Sequence, residues 1–253
     1  MNKEIKVANA NNIPVQFPLY ADPKVPYECP GNRTLTVVCK TDPEIIKKYL
    51  EPTPFEYVDN YYHIYIGDFS GAETGAYWDA AIVIPVRYKD IVGGHFLVEF
   101  EDQDYSIAAG RELWGYPKKY GKCRMEETDE KIIAVCEKNG IDIIKLEMDK
   151  TKKLEQPLKT LKLHPHIQMQ VIGRAEGAGV ALKRILTRDS SSDYVLESCI
   201  EHPCRVELQS VDRCPVADFA PEEILGGRFV IGNHRISDEH GWATVIDTLI
   251  NEF

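Results

Sequence analysis

The sequence contains no long apolar segment. No stretch of its 253 residues approaches the ~18 consecutive apolar side chains that indicate a transmembrane helix. Residues 1–14 are polar and lack the apolar region of a secretory signal peptide. We therefore expect a protein that neither spans a membrane nor is exported.

Positive charge is also scarce. The chain has 30 lysine and arginine residues against 40 aspartate and glutamate residues, so its formal net charge is -10 at pH 7. This balance argues against nucleic acid or an anionic membrane as a partner. It is compatible with a local cationic pocket for a small acid. The hydrophobic fraction of 43% and the charged fraction of 28% are ordinary for a soluble globular protein.

The cysteines show no pattern of disulfide pairing or zinc binding. There are seven, and an odd number without an export signal predicts reduced thiols in a cytoplasm. The cluster Cys199, His202 and Cys204 matches no zinc-site spacing. The glycine-rich residues 173–179 lack the Gly-Lys-Ser/Thr ending of a phosphate-binding loop, so a hairpin loop is predicted there. We predict neither a metal nor a cofactor.

Alternating and β-branched segments dominate the chain and predict an α+β fold that is mainly antiparallel β. So many strands usually close into a barrel or fold into a sandwich. Asp42-Pro43 predicts the start of a helix that ends near Leu50, and Asn139-Gly140 predicts a hairpin. Another short helix is predicted after Pro221. The predicted strands are residues 33–40, 57–69, 77–88, 95–101, 122–127, 131–138, 141–148, 167–172, 180–187, 204–210 and 229–236.

One segment, residues 110–119, reads GRELWGYPKK. Helical spacing of apolar residues from Tyr105 to Leu113 predicts a helix that leads into it. Gly115 permits an irregular backbone, and Pro117 favours an extended residue before it. Most Lys-Lys pairs are solvated surface charges. The aromatic residues and the apolar helix around this pair indicate a more enclosed site.

This segment resembles the signature of the acetoacetate decarboxylase superfamily, in which the first lysine of the pair forms a Schiff base. Asn32-Arg33 before a strand resembles the N-terminal portion of that family, and Tyr77-Trp78-Asp79 resembles its glutamate-bearing strand. The resemblance implies a barrel-type core and a homo-oligomer. It covers nearly the whole chain, so we expect a single domain over residues 1–253. Residues 1–30, with five prolines, are predicted to form an extended arm over the body or over a neighbouring subunit.

The resemblance makes Lys118 the candidate nucleophile. An ordinary lysine, with a pKa of about 10.4, is almost fully protonated at pH 7 and cannot attack a ketone. Burial of a lysine lowers its pKa, and the lysine of this family is a known example of such activation. Lys119 should point to the opposite face of an extended segment. Two charges about 8 Å apart interact by only about 2 kcal/mol at an effective dielectric of ~20, so we expect burial of Lys118 to dominate.

The remaining candidate residues surround this lysine. The resemblance aligns Asp79 with a catalytic glutamate of the family, and an acid there could relay protons. Arg33 is the candidate anchor for the substrate carboxylate, with an interior salt bridge as its structural alternative. His63 stands where the family has another glutamate; it either lines the cavity or is a satisfied core residue. Tyr116 is predicted to contribute to substrate binding.

Arg111 and Glu112 are predicted to form an ion pair that positions the lysine corner. Together with Lys119 they are expected to support the site rather than to act on the substrate.

These residues predict a cofactor-independent lyase that decarboxylates a β-keto acid through a lysine imine. The alternatives are an imine-forming aldolase or dehydratase, because a shared fold does not determine the reaction, and a binding protein without catalysis. Asp79 is one methylene shorter than glutamate, and His63 replaces an acid. We therefore expect a keto acid larger than acetoacetate to react better. If the pKa of His63 is near 6.5, its protonation should improve binding of the acid below that pH.

Overall fold

The structure is a computed structural model that describes residues 11–20 and 25–252. The helices are α1 (Pro43–Leu50) and α2 (Asp104–Trp114), and a 3₁₀ turn covers Val216–Phe219. The strands, in chain order, are β1 (Tyr27–Lys40), β2 (Glu56–Tyr57), β3 (Tyr61–Phe69), β4 (Tyr77–Tyr88), β5 (Ile91–Glu101), β6 (Lys118–Tyr120), β7 (Lys122–Glu127), β8 (Lys131–Lys138), β9 (Ile141–Asp149), β10 (His166–Gly173), β11 (Val180–Arg188), β12 (Val195–His202), β13 (Cys204–Leu208), β14 (Glu223–Ile236) and β15 (Thr244–Asn251).

The strands form two sheets. The larger has eleven strands in the order β12-β14-β1-β3-β4-β5-β10-β11-β15, with β2 added at β4 and β6 added at β5. The smaller has the order β13-β9-β8-β7. All pairings are antiparallel except those of β5 with β6 and with β10. The predicted mainly antiparallel α+β fold is confirmed.

The two faces of the larger sheet have different roles. On β1, Leu35, Val37 and Cys39 are fully buried in a hydrophobic core shared with β8 and β9 of the smaller sheet. Thr34, Thr36 and Val38 alternate with them in sequence, so they point to the other face, where they line a cavity. Residues from β12, β1, β5 and β11 line the same cavity, so the sheet curves strongly around it. This curvature is the barrel-type feature of the fold.

Local sequence signals explain the first helix and the central hairpin. Asp42 Oδ1 accepts a hydrogen bond from the backbone N–H of Glu44 at 2.9 Å, and Pro43 opens α1. Asn139 and Gly140 have φ values of +55° and +78°, as a tight turn between β8 and β9 requires. The loop predicted over residues 173–179 is confirmed, since Gly173 ends β10 and residues 174–179 connect it to β11.

Three predictions of local structure are corrected. The prediction of a helix after Pro221 is wrong, because strand β14 begins at Glu223, and Glu223 pairs with Lys40 of β1. Strands β6, β12 and β15 were not predicted. The arm ends earlier than expected, since β1 begins at Tyr27, and residues 1–10 and 21–24 of the arm lie outside the described residues. The single domain over residues 1–253 stays a prediction.

Within the part of the chain that the structure describes, no helix is long and apolar enough to cross a membrane.

Candidate active site

The curved face of the larger sheet encloses a cavity of about 1160 Å³. Its lining is mixed. Aromatic side chains such as Tyr65, Phe96 and Trp114 lie beside buried acids and bases. Leu19 and Tyr20 of the arm also line it. A large, partly apolar cavity with convergent charged groups is typical of a small-molecule site.

Lys118 enters this cavity from the segment that links α2 to the sheet. Gly115 ends α2 in the left-handed conformation, with φ of +69°, and the chain then joins β5 in parallel, with Lys118 opposite Glu99. Arg111 Nη1 donates to the carbonyl oxygen of Lys118 at 3.0 Å. The helix end and this hydrogen bond hold the backbone of Lys118 at the cavity wall.

Gly110 leaves the space in which the Lys118 side chain lies. A Cβ atom at this position would overlap Cδ and Cε of Lys118. The glycine of the GRELWGYPKK segment is therefore needed for the path of the lysine side chain, a role that the sequence analysis did not assign.

Three carboxyl groups surround the amine. Lys118 Nζ is in close contact with Glu101 and lies 3.4 Å from Glu99 Oε1. Asp79 of β4 completes the cluster. One carboxylate oxygen of each of the three acids lies within 4.8 Å of the other two. Their exposed fractions are 5% for Asp79, 3% for Glu99 and 0% for Glu101. Asp79 was predicted, whereas Glu99 and Glu101 were not.

The acids reverse the expected direction of the Lys118 pKa. Burial lowers it, but the negative charges of Glu101, Glu99 and Asp79 outweigh burial, so the pKa of Lys118 is raised. The prediction that burial would dominate is therefore wrong for this arrangement of charges. The acids respond in turn. Burial and the charge of Glu99 raise the pKa of Asp79 well above its usual range, and burial raises the pKa of Glu99 to about 6 despite the nearby Lys118.

Lys119 points away from the cavity. Its Nζ donates to the carbonyl oxygen of Arg213 at 2.5 Å and lies 3.5 Å from Cys214 Sγ. The two lysines therefore occupy opposite faces of β6, as alternation along an extended strand requires. Only Lys118 of the pair lines the cavity.

Arg33 does not line the cavity. On β1, Asn32 and Thr34 face the cavity, so Arg33 between them faces the other side. Its guanidinium is paired with Asp68 on β3, at 2.5 Å from Nη2 and 3.2 Å from Nε. The prediction of Arg33 as the carboxylate anchor is corrected to its structural alternative, a salt bridge, although the pair is partly exposed and not interior.

His63 and Tyr116 both line the cavity. Burial, with the charge of Arg228 and the neighbouring His164, lowers the pKa of His63 to about 4. The imidazole is therefore neutral at pH 7, and the expected gain in binding below pH 6.5 is wrong, because protonation requires a pH near 4. Tyr116 is buried, with its ring centroid 5.6 Å from Lys118 Nζ and its hydroxyl 2.8 Å from His166 Nδ1.

Arg111 and Glu112 form no ion pair with each other among the described residues. Glu112 Oε2 instead accepts a hydrogen bond from the Tyr20 hydroxyl at 2.7 Å, which ties the arm to α2. Arg111 supports the site through the backbone of Lys118, so the predicted ion pair is corrected to two separate contacts.

The acid cluster is the one group in the described residues whose oxygens are close enough to hold a metal ion. The ammonium of Lys118 contacts the same oxygens and supplies the counter-charge that a cation would bring. Oδ1 of Asp79, Oε2 of Glu99 and Oε2 of Glu101 are buried without a hydrogen-bond partner among the described residues. We interpret them as acceptors, and when protonated as donors, for a molecule bound at Lys118.

Comparison with known proteins gives the same family over most of the chain. The acetoacetate decarboxylase (ADC) family profile matches residues 13–241. The acetoacetate decarboxylase of Burkholderia cenocepacia is 27% identical over 234 residues, which are 87% of this chain and 89% of that protein.

Two solved structures share the fold. The acetoacetate decarboxylase of Legionella pneumophila has a TM-score of 0.80 at 21% identity and covers 93% of this chain and 92% of its own. The enduracididine biosynthesis enzyme MppR, in complex with the condensation product of pyruvate and imidazole 4-carboxaldehyde, has a TM-score of 0.70 at 13% identity. The match covers 96% of this chain and 97% of the MppR chain. Since the profile spans most of the sequence, this chain belongs to the acetoacetate decarboxylase family.

Proposed function

We propose that this protein is a cofactor-independent lyase that decarboxylates a β-keto acid through an imine at Lys118. The observation that carries the proposal is the position of the Lys118 amine, which is buried in a large cavity and held against three carboxyl groups. The curated relatives named acetoacetate decarboxylase support the same reaction class.

The acids provide a route to the free amine although they raise the pKa of Lys118. A proton that moves from Lys118 to Glu101 along their close hydrogen bond leaves an amine and a carboxylic acid. Both products are uncharged. The charged pair is the favoured form at rest, as the raised pKa of Lys118 shows, and burial reduces the cost of forming the uncharged pair. The nucleophile is therefore generated inside the cluster, without loss of a proton to solvent.

The same acids stabilise the next state. Attack of the amine on the ketone and loss of water give an imine, which is cationic when protonated and lies beside the carboxylates. The bond between the α-carbon and the carboxylate carbon then breaks, and its electron pair passes through the imine carbon to nitrogen. Carbon dioxide leaves as a neutral molecule, so the negative charge of the substrate carboxylate no longer lies beside the acid cluster.

Two acids are suited to supply the remaining proton. Because their pKa values are raised, Asp79 and Glu99 retain protons at a pH where ordinary carboxyl groups have lost them. Either can protonate the α-carbon of the enamine, after which hydrolysis releases the ketone and Lys118. No metal or other cofactor takes part in this scheme.

The volume of the cavity favours a substrate larger than acetoacetate. Pockets for drug-sized ligands typically measure about 300–1,000 Å³, and this cavity measures about 1160 Å³. A β-keto acid with a longer chain would fill more of it and exclude more water from Lys118. We expect such an acid to have a higher kcat/KM than acetoacetate.

The test is a screen of β-keto acids of increasing chain length. Reduction with borohydride followed by mass spectrometry detects the adduct on Lys118, and headspace analysis detects carbon dioxide. An adduct with gas supports decarboxylation. Asp79→Glu and His63→Glu, which restore the side chains that the family resemblance implies, should shift the ranking toward acetoacetate. If acetoacetate is already the best substrate and neither variant changes the ranking, the size argument is wrong.

A second candidate is an imine-dependent condensation of a keto acid with an aldehyde. The cavity has room for a second reactant beside Lys118, and the MppR structure shows a condensation product bound in the same fold. In the same screen this candidate predicts an adduct without gas, and carbon–carbon bond formation when aldehydes are added. A binding protein without catalysis would give no adduct at all.

We also propose that the protein is a homo-oligomer in which the arm contacts a neighbour. Ile13 and Phe17 of the arm are 71% and 80% exposed, which leaves large apolar side chains in water. Light scattering on a sizing column should show a mass above that of one chain, and the double variant Ile13→Ser, Phe17→Ser should reduce it. A parent protein that is monomeric at working concentration would contradict this proposal.

The other expectations about partners and location stay predictions. The net charge of -10 argues against nucleic acid as a partner, and the odd number of cysteines favours a cytoplasmic location. Neither depends on the chemistry proposed for Lys118.

A further inference from the structure

Arg188, the last residue of β11, is a buried guanidinium in the wall of the cavity. Its exposed fraction is 8%. Nε donates to the carbonyl oxygen of Gly241 at 2.7 Å, and Cζ lies 3.9 Å from the centroid of the Trp114 ring. Nη2 is buried without a hydrogen-bond partner among the described residues. The side chains of Tyr27 and Tyr116 also interact with the guanidinium, and Nη2 is the donor that is left without a partner in the described part of the chain.

The pairing of charges in the cavity distinguishes Arg188 from the other bases. Four lysine and arginine side chains line the cavity, and three of them contact an acid. The three pairs are Lys118 with Glu101, Lys159 with Asp59 at 2.7 Å, and Arg228 with Glu201 at 2.7 Å. No carboxylate of the described residues lies within 4.0 Å of Arg188.

A purely structural role explains only part of this arrangement. The bond to Gly241 and the stacking on Trp114 hold a loop and the end of α2 against β11. They do not account for a permanently charged group in the cavity wall that has an unused donor and no acidic partner within the described residues, because buried charges are costly unless paired. The missing partner is accounted for if an anion enters the cavity.

Tyr116 interacts with both Arg188 and the reactive amine. Its ring centroid is 5.6 Å from Lys118 Nζ, and its hydroxyl group also interacts electrostatically with Arg188. The strongest electrostatic partners of Lys118 are the three acids, whereas those of Arg188 are Tyr116 and Tyr27. The carboxylate that a β-keto acid loses is only two bonds from its ketone carbon. Its position is therefore fixed close to Lys118, whereas an acidic group farther along the substrate chain is free to extend to Arg188.

We propose that Arg188 binds a second acidic group of the substrate, remote from the ketone, and that the substrate class is a β-keto acid with a distal carboxylate. The planar guanidinium suits a carboxylate, and the Trp114 ring fixes its plane. The imidazoles near Arg188 are neutral at pH 7, because burial and the charge of Arg188 lower their pKa values, to about 4 for His234. Arg188 is then the cation available for the distal group. The proposal rests on the function assigned to Lys118.

The test compares 3-oxoadipate with 3-oxohexanoate, which have equal chain length but differ in the distal carboxylate. The parent protein should have the higher kcat/KM for the diacid. Arg188→Gln should reduce the ratio of the two kcat/KM values by about 10- to 100-fold, mainly through KM, because a charge-assisted hydrogen bond is lost. Arg188→Lys should retain part of the ratio. Arg228→Gln, a matched arginine that already has an acidic partner, should leave the ratio unchanged.

A separate binding measurement distinguishes failure of this proposal from failure of the proposed function. Calorimetry with hexanoate and the Lys118→Ala protein needs no imine. Arg188→Gln is then added to the Lys118→Ala protein. If hexanoate binds at least tenfold more weakly, the result supports the subsite, even if no keto acid forms an adduct with the parent. Equal binding with and without Arg188, or an unchanged substrate ratio in a folded Arg188→Gln protein, would overturn it. If Arg188→Gln does not fold, the same comparisons are made with Arg188→Lys, in which a loss of at least threefold is expected.

Discussion

Lys118→Ala should abolish the borohydride-trapped adduct and reduce turnover by a factor on the order of 10⁴ or more, because the nucleophile is removed. Lys118→Arg should do the same, since it keeps the positive charge beside Glu101 and Glu99 but has no amine that forms an imine. The loss would then be due to the missing nucleophile and not to an unbalanced acid cluster. Intact-protein mass spectrometry and a carbon dioxide assay measure the two effects.

Lys119→Ala is the matched control for this experiment. The Lys119 amine contacts the carbonyl oxygen of Arg213 on the opposite face of β6, so its removal should leave the adduct in place. A small loss of stability is expected, on the order of 1 kcal/mol for the lost hydrogen bond. An adduct that disappears in a folded Lys119→Ala protein but persists in Lys118→Ala would reverse the assignment within the pair.

Glu101→Gln should lower the pKa of Lys118 and at the same time slow turnover. The direction of the shift follows from two opposing effects on the Lys118 amine. Burial lowers its pKa, and the negatively charged acids raise it by more than burial lowers it. When the closest carboxylate becomes neutral, the raising effect weakens and burial gains relative weight. The apparent pKa for adduct formation should therefore move down, and more amine should be free at pH 8. Turnover should still fall by about 10²-fold, since the internal acceptor for the amine proton is lost.

The pH profile of adduct formation separates this outcome from simple damage to the site. Asp79→Asn should also shift the profile down, but less, because Asp79 is the weakest of the three acids acting on Lys118. Glu73→Gln is the control, since Glu73 lines the cavity but its carboxylate accepts the backbone N–H of Glu28 at 3.0 Å. An apparent pKa that rises or stays constant in a folded Glu101→Gln protein would contradict the proposed role of the acids.

The raised pKa of Lys118 changes how activation is understood in this chain. A lysine can become nucleophilic because its pKa falls, or because a nearby base accepts its proton when the substrate arrives. The cluster of Asp79, Glu99 and Glu101 favours the second route. Its groups titrate together, so an observed pH optimum belongs to the cluster and not to Lys118 alone.

Much of the fold could be predicted from local patterns. A continuous run of apolar and β-branched residues located β4 to the residue, and the Asp42 cap and the Asn139-Gly140 turn indicated α1 and the hairpin between β8 and β9. The prediction failed after Pro221, where a proline followed by two glutamates is typical of a helix start. There the pairing of β14 with β1 overrides the local preference, and such a long-range pairing cannot be deduced from a short segment.

The acids of the site illustrate why the rest could not be predicted. Glu99 and Glu101 alternate with Phe100 on β5, which by itself is the pattern of a strand with one solvated face. Phe100 does lie in the hydrophobic core. The face that carries the two glutamates is not solvated, because the larger sheet curves and encloses it. Alternation indicates which residues share a face but not what that face meets.

The sequence by itself determined the family, and its short motif and the family resemblance indicated that Lys118 and Asp79 would line one cavity, as they do. Only the tertiary structure decided that Arg33 faces away from the cavity, that Arg188 faces into it, and that two further acids contact Lys118. The physical reason is the curvature of a sheet whose cavity is lined from β1, β5 and β11. It joins side chains that are far apart in sequence, and their charges set the pKa of the amine.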